Sequence, residues 1–158
     1  MNSKTSISAN QVPLRSKISV YPEPFTPRME GREKRCLSEV FCLKNITVNL
    51  TRLKPGAVSA LRHYHSASDE FVYILKGTPT LVTNEGKEVL GPGVCFGFKA
   101  GVPNGHHLVN ESNEPVLYLE AGDNAEGDTG EYPDDDLKAS LGKFGWEFTH
   151  KDGRAYGE

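Results

Sequence analysis

Pro55-Gly56-Ala57-Val58-Ser59-Ala60-Leu61-Arg62-His63-Tyr64-His65-Ser66-Ala67-Ser68-Asp69-Glu70, running on to Gly77, is the stretch whose reading decides the fold. A second stretch, Gly93 to Asn110, completes it and ends Gly101-Val102-Pro103-Asn104-Gly105-His106-His107-Leu108-Val109-Asn110. Together they hold His63, His65, His106 and His107, four of the five histidines in the chain. Side chains alternate faces along an extended strand, so His63 and His65 point the same way, roughly 7 Å apart. Imidazoles so placed can share one ion at roughly 2.0–2.1 Å from each ring nitrogen. Glu70 follows a polar Ser-Ala-Ser-Asp turn and opens the next apolar run, within reach of the same ion, and a third imidazole arrives from His106. A mixed nitrogen and oxygen donor set suits a first-row divalent metal better than calcium or magnesium.

The pattern around these stretches is β. Ile46, Val48, Leu50 and Leu53 lead into a Lys54-Pro55-Gly56 turn, and Phe71-Val72-Tyr73-Ile74-Leu75 is a β-branched and aromatic run closed by Lys76-Gly77. Thr80–Thr83 and Lys87–Leu90 flank Asn84-Glu85-Gly86, a short hairpin loop. Val94–Phe98, His107–Val109 and Val116–Leu119 supply further strands. Many short strands with Gly and Pro punctuation and no central helix predict an all-β antiparallel barrel or jelly roll.

These residues carry a resemblance to the cupin superfamily of small β-barrels. Gly56, His63, His65, Glu70 and Gly77 fall on its first motif, and Gly93, Gly101, His106 and Asn110 on its second, across roughly residues 46–122. Three departures stand out: one extra residue between Gly56 and His63, Lys99 in place of a proline, and Asn104-Gly105 lengthening the approach to His106. The last leaves His107 as an alternative to His106. Strand alternation favours His106, which shares a face with Leu108 and Asn110. The resemblance implies a double-stranded β-helix and a metal site of His63, His65, Glu70 and His106 with open positions, holding one divalent transition metal (Mn, Fe, Ni, Co or Zn). Small bacterial cupins of this kind are often assigned as sugar-phosphate isomerases. That implies polarisation of a small hydroxy-carbonyl compound beside a general base. Tyr118 and Glu120 alternate with Leu117 and Leu119, so one pair faces the cavity; if it is Tyr118 and Glu120, Glu120 is the candidate base. An iron-dependent dioxygenase and a non-catalytic binding or sensor protein are the alternatives.

The chain has 158 residues and reads as one domain with extensions: an arm over residues 1–30, the barrel over 31–122, and a C-terminal extension over 123–158 packing on the barrel or a partner subunit. Tyr21-Pro22-Glu23-Pro24-Phe25-Thr26-Pro27 cannot sustain a helix, so the arm is expected to be extended, with Phe25 docked on a surface. The tail around Phe144-Gly145-Trp146-Glu147-Phe148 is too aromatic for a disordered end. Both extensions carry apolar groups with few neighbours of their own, which points to a homodimer.

A net charge of −3 gives no reason to expect nucleic acid or an anionic membrane as partner. The polar Met1–Gln11 segment has no apolar core of a secretory signal, and three cysteines, Cys36, Cys42 and Cys95, make no disulfide pattern; a cytoplasmic protein acting on a small molecule is expected. The N-x-Ser/Thr triplets at Asn45, Asn49 and Asn110 read as chance, and the cysteines as buried small hydrophobes. The acidic stretch Gly122–Asp136 fails as a calcium loop, since Ala125 and Asp128 stand where a ligand and the central glycine belong. It reads as a solvated connection whose last aspartates start a helical turn at Leu137-Lys138-Ala139. Arg52, Lys54, Arg62 and Lys99 are the cations nearest the motifs, and His150 reads as a surface residue.

Overall fold

Strand alternation puts one set of side chains between two sheets and the other outside, and that division positions everything below. The computed structural model describes residues 5–156. Its strands are β1 (Arg32–Cys36), β2 (Ile46–Leu53), β3 (Tyr64–His65), β4 (Glu70–Lys76), β5 (Thr80–Thr83), β6 (Gly86–Val89), β7 (Cys95–Phe98), β8 (His107–Val109), β9 (Val116–Asp123), β10 (Thr129–Glu131), β11 (Lys138–Gly142) and β12 (Gly145–Thr149). Among the described residues, helical structure is confined to one turn, α1 (Leu37–Val40), and two 3-10 turns at Ala9–Gln11 and Thr26–Met29.

The first sheet runs β1-β2-β9-β4-β7 and is antiparallel throughout. The second is built from a three-stranded piece, β6-β5-β8, and a four-stranded piece, β12-β11-β10-β3. Bridges Val58↔Val109 and His63↔His106 join the two pieces. The result is an all-β double-stranded barrel of the jelly-roll type, as the strand pattern predicts. Its core, between the sheets, holds Leu53, Ile74, Leu81, Leu108, Val116 and Tyr118. Gly77 ends β4 at φ +83°, where a Cβ would sit 2.7 Å from the Pro115 carbonyl oxygen. Glycine is required there by both conformation and space.

A second core forms around the β10–β12 piece. Phe25 and Met29 of the arm pack there with Leu61, Tyr132, Leu137 and Ala139, flanked by Tyr21, Trp146, Phe148 and Tyr156. The arm lies along the edge of β1, where the Arg15 N–H donates to the Lys34 carbonyl (2.8 Å) and the Arg35 guanidinium to the Val12 carbonyl. Arm and tail thus bury their apolar side chains against each other within one chain.

Three expectations are corrected. Lys138–Gly142 is strand β11, not the start of a helical turn, because Ala139 alternates into the second core opposite Phe148. The acidic stretch is not simply solvated: it contains β10, and Asp128 is only 1 % exposed. The cysteines are not core residues, since Cys42 and Cys95 are exposed and Cys36 is half-buried. Among the described residues no helix is long and apolar enough to cross a membrane.

Candidate metal centre and cavity

The histidines come from one sheet and the carboxylate from the other. His63 and His106 are bridge partners, with reciprocal backbone hydrogen bonds of 3.2 and 2.9 Å, so their side chains share a face. His65 follows on that face two residues along. Glu70 opens β4 opposite Phe98 and Gly122, on the inner face of the first sheet. His63, His65 and Glu70 each bring a donor atom within 4.8 Å of the others, a group that could hold a metal ion. His106 joins them, its Nε2 2.6 Å from Glu70 Oε2, while His65 Nε2 lies 3.7 Å from Glu70 Oε1. His107 is turned instead to the Ala60 carbonyl, 2.9 Å from its Nδ1.

Each imidazole is held from behind. The Nδ1 atoms of His63 and His106 meet the carbonyls of Leu61 (2.7 Å) and Asn104 (2.8 Å), and that of His65 meets Asp128 Oδ2 (2.6 Å). Such acceptors leave Nε2 as the donor atom toward the centre. Asp128 is itself fixed by the Ala67 N–H (2.8 Å) and the Ser68 N–H (3.3 Å). His106 stacks flat on Phe98 at 3.5 Å, His63 on Tyr132 at 5.5 Å, and Trp146 meets the edge of His65 at 5.6 Å. Asp128, Tyr132 and Trp146 all come from the C-terminal residues. Sequence reasoning missed their part in the site because those side chains lie more than fifty residues beyond the first motif and follow no motif of their own.

Electrostatics agree with a cation site. Burial drives His63 down to about 4, helped by His65 and His106 and opposed by Glu70, so it is a neutral imidazole at pH 7. Burial works to raise Glu70, but the His106 hydrogen bond and the three histidines outweigh it and bring it down to about 2. Neutral imidazole and carboxylate are the forms a metal binds. His106 faces an acceptor at each ring nitrogen, the Asn104 carbonyl at Nδ1 and the Glu70 carboxylate at Nε2.

The centre opens into a cavity of about 410 Å³ between the sheets. Tyr118 and Glu120 line it, while Leu117 lies on the outer side of β9. Glu120 accepts from Asn49 Nδ2 (2.9 Å) and pairs with Lys34, both through Oε1. Burial holds the Tyr118 hydroxyl well above the ordinary phenol range, so it stays protonated. Three of the four cations named from the sequence are engaged elsewhere: Arg52 and Lys54 pair with Glu33, and Arg62 with Asp134. Those that line the cavity are Arg15, Arg32 and Lys34, from the arm and β1. In the all-polar run Arg32-Glu33-Lys34-Arg35 no apolar alternation marks the inward face, so the sequence carries no signal for them.

Comparison with known proteins gives consistent results. The cupin domain model matches residues 49–122. A structure from Silicibacter pomeroyi, described as a sugar phosphate isomerase from a cupin superfamily, is 38% identical with a TM-score of 0.90 over 95% of each chain. A protein from Acidithiobacillus ferrooxidans, provisionally assigned as a sugar phosphate isomerase, is 22% identical with a TM-score of 0.71, over 86% of this chain and 94% of that one. The polyketide cyclase RemF from Streptomyces resistomycificus shares the fold at 17% identity and a TM-score of 0.61, over 76% and 79%. No curated protein matches the chain. Full-length agreement at 38% identity, on a barrel with histidines from one sheet facing a carboxylate from the other, places this chain in the cupin superfamily.

Proposed function

We propose that this cupin binds one divalent transition metal through His63, His65, Glu70 and His106 and isomerises a small hydroxy-carbonyl compound, a sugar or sugar phosphate. The observation that carries the reading is Glu120 on the inner face of β9, diagonal to Glu70 on the neighbouring strand β4. Such diagonal positions lie about 7–8 Å apart. A donor set and a separate carboxylate therefore share one cavity. The 38% identity to the Silicibacter pomeroyi protein supports the choice of substrate class. A bound metal of the Mn, Fe, Ni, Co or Zn group would supply Lewis acidity toward the substrate carbonyl.

The chain's own residues do the rest. Glu120 takes a proton from the hydroxyl-bearing carbon beside the carbonyl and returns it to the former carbonyl carbon, while the hydroxyl proton passes to the former carbonyl oxygen, so no net proton is gained or lost. Tyr118, protonated, donates to a substrate oxygen. Asp128 positions His65, and Phe98 and Tyr132 hold His106 and His63 by stacking. The same reading takes residues 31–122 as the barrel, with 1–30 and 123–158 as its arm and extension. It also makes the protein a cytoplasmic homodimer. Free cysteines fit a reducing compartment, and Phe71, Tyr73 and Leu75 present three exposed apolar side chains on the outer face and end of β4.

The test is solvent-deuterium exchange into a panel of aldoses, ketoses and their phosphates, run beside elemental analysis. Wild type should carry about one equivalent of metal and exchange a substrate proton. Glu120→Gln should keep the metal and lose roughly 10²–10⁴-fold in exchange. Glu70→Gln should lose the metal itself. Absence of exchange by the metal-loaded wild type rules the isomerase out, and oxygen uptake would then assign an iron-dependent dioxygenase.

A further inference from the structure

Among the described residues, five buried side-chain atoms have no hydrogen-bond partner within the protein, and four of them lie on one wall of the barrel. They are Arg32 Nε, Asn49 Oδ1, Thr51 Oγ1 and Tyr118 OH, from the neighbouring strands β1, β2 and β9. Strand register explains the grouping. Thr51 is paired with Lys34 on one side and Tyr118 on the other, Asn49 with Glu120, and Arg32 with Leu53. Arg32, Asn49 and Tyr118 line the same cavity as the histidines. A buried polar group left unmatched is costly, so a cluster of them on residues that line a cavity marks where a ligand's polar groups go.

The wall is held for this purpose. Arg32 donates from Nη1 to the Ser59 carbonyl (2.7 Å) and from Nη2 to the Ile18 carbonyl (2.9 Å), which fixes the guanidinium, while its Nε–H has no protein partner. Asn49 gives its amide N–H to Glu120 (2.9 Å), which leaves Oδ1 as an acceptor. Tyr118 has Thr51 and Ser59 close by but a well-formed bond to neither. The wall therefore offers a donor, an acceptor and a hydroxyl that can serve as both. A substrate hydroxyl also donates and accepts, and matches this mixture; a phosphate, whose oxygens only accept, does not. Charge points the same way. Six carboxylates and three cations line the cavity, and Lys34, one of the three, is already paired with Glu120.

We propose that Arg32, Asn49 and Tyr118 form a subsite for the hydroxyl groups of an open-chain, unphosphorylated polyhydroxy compound, and that this subsite selects it over its phosphate ester. The proposal rests on the reading of the histidine–glutamate cluster as the carbonyl end of the same cavity, and it narrows that substrate class to free sugars.

Calorimetric titration of the full chain with D-sorbitol and with sorbitol 6-phosphate tests it. Sorbitol has no carbonyl, so binding is read without turnover. Saturable sorbitol binding is expected, with the phosphate ester binding no more tightly. Asn49→Leu should weaken sorbitol by about tenfold and Tyr118→Phe by about fivefold, the usual scale of one lost hydrogen bond. Tyr118→Phe should also melt no lower than wild type, since the hydroxyl it removes has no partner to lose. A merely structural hydroxyl would instead lower the melting temperature.

Tenfold tighter binding of the phosphate ester, no sorbitol binding, or unchanged affinity in both variants would each overturn the proposal. Failure of the isomerase reading is separable from these outcomes. Sorbitol binding that depends on the wall, in a protein with no deuterium exchange, would sink that reading and leave the subsite standing.

Discussion

At His63 the ring is a half-buried, neutral base whose pKa desolvation holds at about 4, against 6.5 for an ordinary histidine. Between pH 6.5 and 4 the unfolded chain takes up a proton that the folded chain refuses. Stability of the metal-free protein should therefore fall on acidification across that window, by on the order of 1–3 kcal/mol. Glu70, lowered from 4.5 to about 2, extends the loss as pH drops from 4.5 toward 2. Urea denaturation in chelator at a series of pH values measures this, and a flat profile from pH 7 to 4 would contradict it. His63→Gln should flatten the upper part of the curve. Asp128 acts one step further out. Asp128→Asn keeps the shape but weakens the charge-assisted hold on His65, and metal affinity in a chelator competition should fall roughly 10–100-fold. Unchanged affinity would remove Asp128 from the site. His65 was legible in the sequence as the second member of the paired histidines; Asp128 was not, because its partner is 63 residues away.

At the scale of the element, turns and strands differ in how much each residue matters. Gly77 and Gly86 both lie at strand ends with positive φ, but only Gly77 faces backbone: a methyl group added there would meet Pro115 O at 2.7 Å and Val116 Cα at 3.0 Å. Gly77→Ala should cost roughly 2–4 kcal/mol, combining conformational strain and overpacking. Gly86→Ala has open space around it and should cost about 1 kcal/mol from conformation alone. Chemical denaturation of the two variants compares them directly, and equal losses would show that the approach to Pro115 relaxes freely. The same contrast explains which strands the sequence announces. Phe71–Leu75 is β-branched and aromatic, so β4 is legible at once. In β1 five polar or half-polar residues give no period, and β11 follows an aspartate run that imitates a helix start. Its strand character comes from pairing with β10 and β12, not from its own residues.

For the whole molecule, the question of assembly turns on the outside of the first sheet. Phe71 is 47% exposed, Tyr73 38% and Leu75 40%, a density of apolar surface that pairing with a second copy would cover. Sedimentation of the intact chain should give twice the 17.4 kDa monomer mass, and Phe71→Glu with Tyr73→Glu should shift it to the monomer. A monomeric wild type at micromolar concentration would reject the dimer. The arm and tail bear differently on stability. They share one core, so Phe25→Ala should destabilise the barrel by roughly 3–5 kcal/mol, as burial of a large aromatic at 8% exposure implies. A loss below about 1 kcal/mol in thermal or urea unfolding would show that the arm docks loosely. The barrel class and the grouping of His63, His65 and Glu70 were determined by the sequence alone, because strand period and short-range spacing are local properties of the chain. Tertiary structure decided the rest: the placement of His106 beside Glu70 with His107 turned to Ala60, the inward face of β9, the buried Asp128 and the cations of β1. Each of these depends on which strand lies beside which, and hydrogen-bonded register between distant segments leaves no periodic trace in either one.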